Sequence, residues 1–226
     1  MKRIPESEAI SEMADARRFN EFMGSNRFRQ QEYHELAQRV AAMGVPDGGK
    51  VLDVGTGTGF VAIAVAKVLR ERGVQVVGLD LSPAMLSLAA ENAQRAGLNG
   101  AVTWREGNAY AMPFADGEFD VVISNDSLHH WEDPVQIFNE IARVVKPEGA
   151  YFIHDSRRLE HWWPRLFAWG IGLTIPPDFR VHYWGSIRSS YTPEELEALV
   201  ARSRLSGWRV EAGFMEVAVV RRNVYV

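Results

Sequence analysis

The stretch Lys50 to Phe60, KVLDVGTGTGF, limits what this chain can fold into more than any other. Val51, Leu52 and Val54 form an apolar run of the kind a buried parallel strand requires. Gly55, Gly57 and Gly59 end the run, and a helical stretch from Val61 to Arg72 follows, closed by Gly73. The glycines therefore sit on a strand-to-helix turn, where φ > 0 is tolerated and a ligand can approach the backbone closely. The helix N-terminus behind the turn offers free N–H groups and a partial positive charge, which suit a carboxylate or phosphate.

The glycine spacing narrows the ligand. A dinucleotide fingerprint reads G-x-G-x-x-G. Here the pattern is G-x-G-x-G, and Phe60 takes the place of the last glycine. The second strand, Gln75 to Leu79, ends at Asp80. A carboxylate there can accept from both hydroxyls of an adenosine ribose.

Strands and helices then alternate. Ser82-Pro83 opens a helix to about Arg95, with Met85, Leu86, Ala89 and Ala93 expected inward. Strands are expected at Val102 to Glu106, Phe119 to Ser124 and Ala150 to His154, with an Asp133-capped helix from Val135 to Val145. Thr192-Pro193-Glu194-Glu195 is a capping box, and Trp208 to Met215 with Val217 to Arg222 reads as an antiparallel pair. The expected fold is α/β: a doubly wound, mostly parallel Rossmann-like sheet of about seven strands with an antiparallel C-terminal hairpin. In such a sheet ligands lie at the carboxyl ends of the strands. Gly55, Gly57, Asp80, Asn108 and Asn125 all fall at such ends.

Composition bounds the rest. With 226 residues, 46% of them hydrophobic, the chain supports one sizeable domain. Net charge is −4 with no dominant basic cluster, which argues against nucleic acid as a partner. Cys 0 excludes disulfides, thiolate metal sites and a cysteine nucleophile, and no metal site is expected. The polar stretch Met1 to Ser11 lacks a signal-peptide core, and no apolar run spans a bilayer, so cytoplasm is the expected location, without stable membrane insertion.

The glycine turn, the acid Asp53 ahead of it, Asp80, and the stretch GNAYAMPFADGEFDVVISNDSLHHW (107–131) resemble the class I S-adenosylmethionine-dependent methyltransferases. The subgroup most similar is the ubiquinone/menaquinone-biosynthesis-like small-molecule type. The resemblance implies a single methyltransferase domain: 1–45 a helical extension, 50–156 the cofactor-binding core, 157–191 an acceptor-covering insertion, and 192–226 the C-terminal helix and strand pair. It implies S-adenosyl-L-methionine held by Asp53, Gly55, Gly57, Gly59, Asp80 and Asn125, with Asn108 near the adenine amine and Leu81 and Ala109 walling the ring. Asn108 stands where the family usually has an aspartate, so the contact it offers is uncharged.

The acceptor side is read more openly. The reaction would be an in-line displacement at the sulfonium methyl of a small, apolar or aromatic acceptor. If a base is needed, His129, His130, His154 and Asp155 are the candidates; the alternative is that the first two fix the loop beneath the cofactor. Two helices ahead of the first strand either form a lid that brings Tyr33 to the substrate or only cover the sheet. Trp162, Trp163, Tyr183 and Trp184 mark an aromatic insertion, expected as a short helix and then a loop because Pro176-Pro177 forbids one continuous helix. Some of these aromatics line the pocket in this reading; the sheet or the partner of a homodimer would take the others, with a membrane surface the lesser alternative. A non-catalytic S-adenosylmethionine binder and a nicotinamide oxidoreductase are the competing functions. The second is opposed by Phe60 and by the 125–131 motif.

Overall fold

Five strands form the first part of the sheet: β1 (Lys50–Val54), β2 (Gln75–Asp80), β3 (Val102–Glu106), β4 (Phe119–Asn125) and β5 (Val145–Ser156). β1, β4 and the second half of β5 carry the continuous apolar runs of strands buried on both faces, and β3 at the edge does not. The computed structural model describes residues 3, 4 and 12–221. The outer end of the expected last strand at Arg222 and most of Met1 to Ser11 fall outside them. The five strands run parallel in the order β3-β2-β1-β4-β5. β6 (Trp208–Ala212) and β7 (Glu216–Arg221) extend the sheet, with β7 antiparallel to both β5 and β6.

Successive residues face opposite layers. Val51, Val121 and Phe152 join the layer of α2 (Arg27–Ala42) and α3 (Phe60–Val68), where Tyr33, Leu36, Ala37 and Val40 are buried. Leu52, Val122 and Tyr151 join that of α5 (Pro134–Val144) and α8 (Pro193–Val200). With both faces covered, the ligand-binding surface left to the sheet is its carboxyl edge.

Caps set the helix starts. Asn26 ends α1 (Met13–Ser25) and accepts from Phe28 N–H at the start of α2. Ser82 caps α4 (Pro83–Arg95), and Asp133 caps α5. On α4, Leu88 takes the fully buried position and Leu86 is only half-buried, because the buried face runs through 85, 88, 89 and 92. The expected loop after Pro176-Pro177 is instead a second helix. The prolines end α6 (Trp162–Thr174), but Pro177 then sits in the first turn of α7 (Pro177–Ser189), where it lacks no needed N–H.

Candidate active site

The glycine turn is welded to the end of β2. Gly55 and Thr56 N–H both donate to Leu79 carbonyl, at 2.9 and 3.0 Å. Asp80 accepts from Gly57 N–H at 2.7 Å and from Ser82 N–H at 2.9 Å. Behind the turn, the buried Asp53 accepts from the Thr56 hydroxyl at 2.7 Å. Burial pushes the Asp53 carboxyl up to about 7; the Thr56 bond opposes this and the Asp80 charge adds to it.

Two glycines here are fixed by close approach. Gly55 has φ 71°, and a Cβ on it would lie 2.2 Å from Ser127 Oγ. Gly59 has φ 80°, and its Cβ would lie 2.5 Å from the Trp104 ring. Gly57 differs: φ is 53° and nothing lies within 4 Å of a Cβ built there. The turn is thus packed from below and open at its middle glycine.

Beside the turn, Leu81 is 48% exposed although apolar. Across from it stand Asn108 and the half-buried Ala109. Asn108 Oδ1 accepts from Tyr110 N–H at 2.9 Å, and its amide NH2 has no protein partner among the described residues. An amide so placed can offer donors as well as a remaining lone pair. Arg143 of α5 anchors the following loop through the carbonyls of Phe114 and Met112, at 2.7 and 2.9 Å.

One strand over, a second cluster gathers past β4. Asn125 pairs in register with His154 of β5. His154 Nδ1 lies 2.8 Å from Asn125 Oδ1, and Nε2 lies 3.0 Å from Glu216. Burial works against the charged ring, but the Glu216 hydrogen bond and the Asp126 charge outweigh it, and the His154 pKa is raised. Both partners present oxygens, so the site favours a ring that donates from both nitrogens.

His129 is clamped. Its Nδ1 lies 2.8 Å from Asp155 Oδ1, and its backbone N–H donates to Asp155 Oδ2 at 2.8 Å. The His130 ring sits 4.1 Å from that of His129, and its buried Nδ1 has no hydrogen-bond partner. Burial, with the neighbouring His129, pushes the His130 imidazole down to about 3. Asp126 sits between these histidines and Arg29 of α2, whose guanidinium it meets at 3.0 Å.

The expected aromatic residues are distributed differently from one another. Tyr33 is buried and stacks on Phe60 at 5.6 Å, so it packs α2 against α3. Tyr183 and Trp184 pack with Leu159, Ala168 and Ile187, and the Tyr183 hydroxyl donates to Ala168 carbonyl at 3.1 Å. Trp162 and Trp163 lie on the outer face of α6. A contact the sequence did not suggest closes the top: Phe22 of α1 stacks on Phe179 of α7 at 4.4 Å. Arg29 and Trp104 likewise carried no local sequence signal, and Ser127 lay in the 125–131 motif without a role.

Known proteins resemble this chain in sequence and fold. The family model described as a methyltransferase domain matches residues 52–153. A demethylmenaquinone methyltransferase of Lactiplantibacillus plantarum is 31% identical over 84% of this chain and 80% of its own length. The erythromycin 3''-O-methyltransferase of Saccharopolyspora erythraea is 33% identical over 84% of this chain, which spans 59% of that protein. Among solved structures, an S-adenosylmethionine-dependent methyltransferase from Aquifex aeolicus superposes with a TM-score of 0.66 at 21% identity, covering 92% of this chain and 97% of that one.

Proposed function

The chain belongs to the methyltransferase domain family, and from that premise we propose how its cleft moves a methyl group and to which class of acceptor. It is an S-adenosylmethionine-dependent methyltransferase. The cofactor fits the residues present: open space at Gly57, a carboxylate at Asp80, an exposed apolar wall at Leu81 and an unpartnered amide at Asn108. When bound, it supplies a methyl group on a sulfonium that an acceptor nucleophile can displace in line.

In this reading Asp80 accepts from the ribose hydroxyls, Leu81 and Ala109 flank the adenine, and Asn108 meets its edge. Gly55, Gly57, Gly59 and Asp53 shape the floor, and the Asn125 backbone receives the methionyl amine. His154 is a positioning residue that holds Asn125 rather than a base. Holding donor and acceptor aligned supplies about 7–11 kcal/mol in favourable cases, so much of the rate comes from placement.

The acceptor lies toward Asp126, His130 and the Phe22–Phe179 stack. Three histidines converge there. His154 faces two acceptors, and the His130 imidazole is pushed down to about 3. His129 holds Asp155 on Nδ1, the pairing that orients a histidine to act as a base through its other ring nitrogen. In this reading the acceptor is a small aromatic or apolar molecule, such as a phenol or hydroquinone. Among the relatives, one is named a demethylmenaquinone methyltransferase and another an erythromycin 3''-O-methyltransferase.

One observation carries the reading. The donor elements and the histidine cluster end adjacent parallel strands, β1 and β4, and meet at Asn125. The test is transfer of labelled methyl from S-adenosylmethionine to a demethylated naphthoquinol and to an aliphatic sugar alcohol. The expected result is label in the quinol. Label only in the alcohol, or in neither while the cofactor still binds, would overturn the acceptor class.

A further inference from the structure

Helix α6 is built inside out. Its buried residues are small or cyclic, Pro164, Ala168 and Gly172, and they lie against Tyr183 and Trp184 of α7. Its large apolar residues point to water: Trp162 is 75% exposed, Trp163 53%, Leu166 59%, Phe167 54%, Trp169 56% and Leu173 53%. At about 100° per residue these six form one unbroken arc of roughly 160° with no charged side chain inside it. Phe214, beside β7, extends the arc, with ring contacts at 5.0 Å to Trp163 and 5.3 Å to Phe167.

The five exposed rings leave on the order of 600 Å² of aromatic surface in water. The leucines add to this. A typical monomer's largest apolar patch is about 300–600 Å², so this face has a partner. Charge identifies it. Residues 157–191 hold five arginines against Glu160 and Asp178, in a chain whose net charge is −4. Arg165, on the edge of the arc, is exposed and has no carboxylate partner among the described residues, and the same holds for Arg188 on α7, the helix packed against α6. A second copy would present the same positive rim across a two-fold axis, like charge facing like. An anionic surface is complementary.

Tryptophans set in an apolar face beside unpaired arginines are the composition of a helix lying in a membrane interface. Among the described residues no helix is long and apolar enough to cross a membrane. We propose that the outer face of α6, with Phe214, docks this protein peripherally on an anionic phospholipid bilayer. The inference does not depend on which acceptor is methylated.

The test is co-sedimentation with vesicles of roughly one-third phosphatidylglycerol in phosphatidylcholine, against phosphatidylcholine alone. Tryptophan emission and sedimentation velocity of the free protein accompany it. Two variants separate the contributions: Trp169→Ser with Leu173→Ser removes apolar area, and Arg165→Glu with Arg188→Glu reverses the rim. An unchanged S-adenosylhomocysteine-induced rise in melting temperature shows that each variant is folded. The wild type should bind the anionic vesicles with blue-shifted emission, and each variant should bind at least about tenfold more weakly. The charge variant's loss should vanish on neutral vesicles. The proposal fails if the wild type ignores the anionic vesicles or if the variants bind as it does. It also fails if the wild type is a dimer that the Trp169→Ser/Leu173→Ser variant dissolves, which would make the face a self-association surface.

Discussion

Arg29 of α2 donates to Asp126 across 3.0 Å, and Asp126 is the one non-glycine residue with positive φ, at 50°, among those described. The contact joins the N-terminal helices to the loop after β4, between the two halves of the cleft. Burial works against the Asp126 charge, but Arg29 and two histidines outweigh it and hold the carboxyl below its ordinary range. Asp126 is therefore a carboxylate at neutral pH, and the pair ties α2, already seated by its buried apolar face, to this loop.

Removing that tie is expected to loosen the helices without unfolding the sheet. Arg29→Gln should cost about 1–2 kcal/mol, since both side chains keep some contact with water. At this chain length that lowers the melting temperature by roughly 2–8 °C. Limited proteolysis should show faster cleavage within residues 12–42. Unchanged cleavage would mean that the ion pair does not hold the helices down.

The middle and last glycines of the turn are expected to fail in different ways. Gly59→Ala meets the Trp104 ring at 2.5 Å and carries φ 80°, so strain and overpacking act together. About 2–5 kcal/mol of lost stability follows, a drop of roughly 5–15 °C in melting temperature. Gly57→Ala meets nothing within 4 Å. Its stability cost is only the left-handed strain of about 1–2 kcal/mol, yet its methyl projects where the cofactor would lie. Thermal melts and binding titrations on the two variants separate packing from ligand contact.

Asp53 gives a pH dependence with a definite sign. Burial raises its pKa from 3.8 to about 7. The folded state then holds a proton that the unfolded state releases, so this group's stabilising contribution is full below pH 3.8 and is lost as pH rises to about 7. Binding of the cationic S-adenosylmethionine should strengthen as pH rises through about 7, where the folded-state carboxyl ionises, more than binding of the product that lacks the sulfonium charge. Asp53→Asn should flatten both trends. Equal slopes for the two ligands would separate Asp53 from the sulfonium side of the site.

His154 runs to higher pH. Its pKa lies above the usual histidine value of about 6.5, so the stability it confers is present below that pH and fades as pH passes the raised value. Glu216→Gln should bring the imidazole titration, followed by NMR, back down. It should also weaken the protein chiefly at the acidic end.

The parts of this site that are local in sequence were legible there. The strand, the glycine turn and Asp80 lie within thirty-one residues of one another, from 50 to 80, and hydrophobic period and turn chemistry specify them. The mostly parallel sheet of about seven strands followed from strand–helix alternation, while the order of its strands is read only from the structure. Trp104 beneath Gly59, Ser127 against Gly55, and Arg29 on Asp126 join segments dozens of residues apart, and no local pattern announces them. The insertion was misread where Pro176-Pro177 suggested a loop, because a proline that ends one helix can also begin the next. Its tryptophans drew attention for their number, but only the small-residue stripe at 164, 168 and 172 reveals which way they point.

The most direct test of the account is calorimetric titration of S-adenosylmethionine and S-adenosylhomocysteine into the wild type and Asp80→Ala. The account predicts binding of both ligands on the order of micromolar, weakened at least about tenfold, or 1.4 kcal/mol, by the substitution. Equal affinity in the two proteins would place the cofactor somewhere other than the carboxyl ends of β1 and β2.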